Sequence, residues 1–186
     1  MKKILILLGL ICAAIGVWHF THSGSGNTTN TTVINSNPTT SGHPDASNAT
    51  FTFEDGQVTL SKGTFTAPTD PDSGTAVETD LSNTFGYGDL NADGKEDVVV
   101  ILVQSGAGSG TFFNIAAYVS GPISYKGTNA VFVGDRIVPK SISIKNKTIT
   151  LTYLDRNPDE PMAADPTVLS TKTYLYSSLD NSLQEQ

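Results

Sequence analysis

The 186-residue chain carries 18 Asp and Glu against 11 Lys and Arg, and this net charge of −7 argues against a nucleic-acid platform, which needs clustered cations to meet phosphate. From Thr50 onward the imbalance is sharper, with 17 acidic residues against 9 basic ones. All three histidines, the single Cys and the single Trp precede residue 49, so the expected folded part has no imidazole or thiolate, and Ser-His-Asp catalysis, Cys-His catalysis and His/Cys zinc sites are not expected there.

Lys2 and Lys3 stand ahead of Ile4 to Phe20, a run with no formal charge when His19 is neutral. As a helix it reaches ~25 Å, just short of a bilayer core, and the two lysines hold its N-terminus inside so that the downstream chain is exported. Residues 1–20 are therefore expected to be a membrane anchor, with a cleaved signal peptide or lipidation at Cys12 as the alternatives. Residues 21–48, rich in Ser, Thr, Asn and Gly, are expected to be a linker, because so few apolar side chains cannot offset chain entropy. The remaining residues, 49–186, make one domain of ordinary size, large enough to bury a core without disulfides.

From Thr50 the hydrophobic period is two. Phe51 and Phe53, then Val58 and Leu60, flank Asp55-Gly56 and predict an opening hairpin. Val77–Asn83 is left as a short helix in an otherwise all-β reading. Val98 to Val103 is continuously apolar and β-branched, which predicts a central strand covered on both faces. Thr111 to Val119 reads as its antiparallel neighbour across the hairpin loop Ser105–Gly110, with further strands at Ala130–Val133 and Thr171–Tyr176. Ser141 to Leu154 folds back around Lys145-Asn146-Lys147 with Ile142, Ile144, Ile149, Leu151 and Tyr153 on one side, so that sheet has one face in water. The expected fold is a single antiparallel sheet or a sandwich.

One segment carries specific chemistry. Asp89, Asn91, Asp93 and Asp97 put oxygen-bearing side chains at positions 1, 3, 5 and 9 of a loop, Gly94 allows a sharp bend at position 6, and Lys95 offers a carbonyl at position 7. Calcium takes six to eight hard oxygen ligands, and this spacing turns three side chains inward and offers the Lys95 carbonyl toward them; three carboxylates brought together with no cation repel by about 1–4 kcal/mol per pair. The competing reading is an Asx-rich turn that caps the central strand and uses Gly94 only for its backbone freedom.

The stretch Gly88 to Val98 resembles the calcium loops of FG-GAP, VCBS and dockerin-type repeats, and in the FG-GAP arrangement the fourth carboxylate falls at position 9, where Asp97 stands. Position 12 is Val100, so the bidentate Glu of an EF-hand is missing. More widely, Gly108–Phe113, Gly134–Ile137 and Tyr153–Pro161 resemble segments of a group of bacterial envelope proteins, a likeness that implies location and no activity.

The remaining charges gather as Asp135-Arg136 and Asp155-Arg156 with Asp159, Glu160 and Asp165, and are read as internal ion pairs holding long loops, with a ligand-binding rim as the alternative. No catalytic residue is assigned. The expected function is a cell-envelope binding module with a structural Ca2+ whose partner is an envelope protein or a glycan; the rival readings are a carboxylate-based hydrolase and a purely structural accessory domain.

Overall fold

The computed structural model describes residues 42–186 apart from 70, 71, 73 and 107, so the expected anchor and the expected linker as far as residue 41 lie outside the described residues. The chain opens with β1 (Thr50–Phe53) and β2 (Gly56–Thr59), an antiparallel hairpin. Its register is set by burial: Phe51 pairs with Val58, and both side chains are withdrawn from water on one face. That pairing makes Glu54-Asp55 the turn, one residue earlier than the expected Asp55-Gly56.

Next come β3 (Thr64–Pro68), β4 (Ala76–Gly88), β5 (Asp97–Ser105), β6 (Thr111–Val119), β7 (Lys126–Gly127) and β8 (Val131–Asp135), which form one antiparallel sheet. Its order is β3-β4-β5-β6, and the far side of β6 is shared by β7 at one end and β8 at the other. A second antiparallel sheet holds β9 (Val138–Lys145), β10 (Thr148–Asp155), β11 (Val168–Ser177) and β12 (Ser182–Glu185), in the order β12-β11-β10-β9. Asn146 and Lys147 both take positive φ, 51° and 65°, as a two-residue hairpin between β9 and β10 requires.

The two larger sheets are joined by an inner core. Val99, Ile101, Ile115 and Val133 meet Ile149, Leu151, Tyr174 and Leu183, all of them buried. Each such side chain contributes about 1.5–3 kcal/mol by leaving water. An outer core lies on the opposite face of the six-stranded sheet, where Phe51, Val58 and Leu60 cover Val98, Val100, Leu102 and Ala116. Residues 97–102 of β5 are therefore buried on alternate sides by different layers, which is why that run is apolar without alternation.

Among the described residues there is no helix, and the segment expected to be one, Val77–Asn83, lies inside β4. The β4–β5 register shifts between Leu81 and Phe85, an irregularity that interrupts the period of two just where the segment ends. A Cβ on Gly86 would sit 2.4 Å from Ile142 Cγ2, so the small residue lets β4 and β9 approach closely. Packing also begins ahead of residue 49: Ala46 is buried in the outer core, Ser47 O accepts from Gly63 N at 2.7 Å, and His43 stacks on Tyr87 with ring centroids 3.9 Å apart.

Candidate metal centre

Loop 89–97 connects β4 to β5 and is pinned at both ends. Leu90 inserts into the inner core at 1% exposure. Asp97, the first residue of β5, is fully buried, and its carboxylate accepts from Leu90 N through Oδ2 and from Ser120 N through Oδ1, both at 2.7 Å. A buried carboxylate is tolerable only with such charge-assisted bonds, and these two tie the loop's entry to the β6–β7 connection.

Between the pins, side-chain oxygens collect the loop's own N–H groups. Asp89 accepts from Ala92 N at 2.6 Å and Gly94 N at 3.0 Å, Asn91 from Asp93 N at 3.0 Å, and Asp93 from Lys95 N at 2.8 Å. The bends that permit this lie at Ala92 and Gly94, with φ of 64° and 82°. Ala92 occupies the left-handed region with a Cβ, a strained conformation that the surrounding bonds hold in place.

Ser120 and its neighbours complete the arrangement. Ser120 Oγ donates to Asp93 Oδ2 at 2.8 Å, Asn91 Nδ2 donates to Ser120 O at 2.7 Å, and Lys95 Nζ reaches Gly121 O at 3.3 Å. The bonds from Lys95 N and Ser120 hold the Asp93 carboxyl below the usual carboxylate range, so it is ionised at neutral pH. Tyr125 donates to Glu96 O at 2.9 Å, and its own hydroxyl is pushed up by burial and by the negative charges of Asp97, Asp93 and Glu96. His43 Nδ1 lies 2.5 Å from Glu96 Oε2. Histidine thus belongs to the folded unit after all, brought in by the segment ahead of residue 49 that stacks it on Tyr87.

The five expected ligand positions, Asp89, Asn91, Asp93, Lys95 and Asp97, are thus gathered in one bend. Among the described residues no three Asp, Glu, His or Cys side chains converge on a single point as a ligand set; the carboxylates are turned onto N–H groups. The donor chemistry suits a hard cation, since an ionised carboxylate oxygen keeps a second lone pair after accepting one hydrogen bond. Asp97 has least to offer, with both oxygens committed to buried donors.

The chain matches no family model, no curated protein and no solved structure. Sequence reading missed Ser120 and Tyr125, which stand on a connection far along the chain and have no local signal, and the anchoring role of Leu90.

The second charged constellation is tied to backbone more than to opposite charge. Arg156 donates to Asp135 O at 2.6 Å, Arg136 O at 3.1 Å and Ala164 O at 3.5 Å. Arg136 pairs with Asp135 at 3.2 Å and also donates to Ser109 O. The expected ion pairing occurs at Asp135-Arg136, whereas the Arg156 guanidinium braces its loops through three carbonyls.

Proposed function

We propose that this chain is an exported, envelope-tethered, all-β binding module whose Asp89–Asp97 loop takes a calcium ion as a structural brace. The reading rests on one observation: side-chain oxygens meet the N–H groups of Leu90, Ala92, Asp93, Gly94 and Lys95, yet the loop's four carboxylates outnumber the cationic groups beside them, Lys95 and His43. Asp89, Asp93, Glu96 and Asp97 lie in nine residues, and Lys95, the loop's own cation, is directed at the Gly121 carbonyl. Asp89, Asn91 and Asp93 would hold the ion through the lone pairs that their backbone bonds leave open, with the Lys95 carbonyl and Asp97 completing the oxygen set. The resemblance of Gly88–Val98 to FG-GAP and VCBS loops supports the same reading. Export and tethering are inferred from Lys2, Lys3 and the apolar run 4–20, and the acidic module is suited to a protein or glycan partner at the cell surface.

Calcium titration against thermal unfolding tests the proposal. With dissociation constants of 10⁻⁴–10⁻³ M, ~1 mM ion adds about 0.4–1.4 kcal/mol. The melting point rises by about 1–5 °C. Magnesium does less, and Asp89→Ala with Asp93→Ala abolishes the response. A melting point indifferent to calcium and to chelator overturns the reading.

A further inference from the structure

We infer that the outer face of the six-stranded sheet carries a saccharide-binding trough at Phe53, Asn114, Phe112 and Phe132, shaped for a linear glycan without negative charge. The inference deepens the binding-module reading and rests on it.

The trough exists because the β1–β2 hairpin covers the outer face only in part. Strand β1 runs parallel to residues 128–130, with Thr52 N donating to Thr128 O at 3.1 Å and Ala130 N to Thr52 O at 2.8 Å. Past these bonds the two segments separate. A groove of about 410 Å³ opens between Phe53-Glu54 and Val131-Phe132. It continues under the Glu54-Asp55 turn into a cavity of about 330 Å³ floored by Asn114 and Gln104, and then into one of about 360 Å³ that shares Asp55, Gln104 and Phe112. The three cavities share lining residues and follow one another along the same face, a path for an extended chain.

Its walls combine two chemistries. Phe112 and Phe132 are 45% and 53% exposed, with ring centroids 6.3 Å apart and planes tilted by 59°. Large rings left in water beside one another offer faces to the C–H side of a pyranose. Gly110 leaves room for one of them, since a Cβ there would lie 2.4 Å from the Phe112 ring.

The floor is polar. Asn114 is 6% exposed and lines the cavity, yet its amide has one bond, a 3.5 Å contact from Nδ2 to Phe112 O, and its Oδ1 takes none among the described residues. An amide oxygen open to solvent at the cavity and without a protein donor can accept from a hydroxyl or N–H of a ligand. Gln104 beside it, and Glu54 and Asp55 on the rim, likewise make no side-chain bond or ion pair among the described residues.

Charge selects the class of glycan. No Lys or Arg lines any of the three cavities, whereas two free carboxylates do. Uronic-acid or phosphate-bearing chains are repelled, and neutral or amino-bearing sugars are accepted.

Isothermal titration of the full chain with an N-acetylglucosamine hexamer, its fully deacetylated amino form and an oligogalacturonate distinguishes these sources. The first two bind and the third does not. Phe112→Ala and Phe132→Ala each weaken both by about 10-fold or more without lowering the melting point, as expected where exposed rings anchor the contact. Glu54→Gln with Asp55→Asn lowers affinity for the amino form only. No heat with either saccharide, unchanged affinity in the double phenylalanine variant, preference for the anionic chain, or displacement by a cationic peptide that binds more tightly would overturn the assignment. The calcium-dependent melt of the same samples separates the two readings: an intact calcium response with no saccharide binding removes the trough alone.

Discussion

In the Asp89–Asp97 loop carboxylates collect backbone N–H groups, whereas beside β8 and β10 a guanidinium collects backbone carbonyls. Both devices immobilise irregular chain, and both do so with charge-assisted bonds to the backbone more than with ion pairs. They differ in what is left over. Arg156 is a single cation surrounded by three carbonyl dipoles, with the Asp135-Arg136 pair alongside, so its site is complete. The acidic loop concentrates like charge, and satisfying its donors does nothing to neutralise it. Hydrogen bonding and charge balance are separate conditions, and it is the second that the proposed calcium ion would meet.

The comparison breaks most visibly at Asp97. Replacing it with Ala strands the N–H groups of Leu90 and Ser120, both buried, at about 1–3 kcal/mol for each, or about 2–6 kcal/mol together. Urea unfolding in the presence of chelator measures this apart from the proposed calcium. A loss under about 1 kcal/mol would mean that the carboxylate does not organise the loop.

A smaller effect is expected on the basic side. Arg156→Ala releases carbonyls that are only partly buried, so water replaces much of what is lost and the cost is about 1–2 kcal/mol. Arg156→Lys recovers little, because one ammonium cannot span carbonyls that the planar fork reaches together. Full recovery by Lys would show that charge alone matters there.

The smallest effect is a pH dependence from the loop that Arg156 braces. Hydrogen bonds from the Asn157 side chain and backbone hold the Glu160 carboxyl below its ordinary value. With the folded value lowered, the unfolded chain binds the proton more readily, so the contribution is complete above the ordinary glutamate range near ~4.3 and disappears as pH falls through the lower folded value. Comparing urea midpoints at neutral pH and at about pH 3, Glu160→Gln should narrow the wild-type difference slightly; an identical difference would detach Glu160 from acid sensitivity.

Much of the sheet architecture was legible because period and turn chemistry agree. The Ser141–Leu154 hairpin shows alternation on both arms around a turn suited to positive φ, and β5 and β6 show the contrast between a strand covered on both sides and its neighbour. Strand β4 was illegible because its register against β5 shifts between Leu81 and Phe85 and interrupts the period of two, and the role of Gly86 and Gly88 as spaces for Ile142 and Ile144 exists only once β9 is in place. Strands β7 and β12 are too short to carry a period. Within the acidic loop the sequence identified the oxygen-bearing positions but not their partners. Ser120 meets Asp93 and Asp97 across the sheet, a proximity created by the β5–β6 pairing and not by spacing along the chain. The trough escaped for a related reason: alternation marks Phe112 and Phe132 as strand residues but does not tell which side of a two-faced sheet is left uncovered.

The hairpin that forms the outer layer also sets an order of events. Residues 46–60 are made before any strand of the sheet they cover, and Thr52 must wait for Thr128 and Ala130 to close its bonds. Contacts of such long sequence separation carry a larger loop-closure cost than local ones. The earliest part of the module to be synthesised is therefore held by contacts that exist only once residue 130 has been made, and without it Val98, Val100 and Leu102 lack their outer cover.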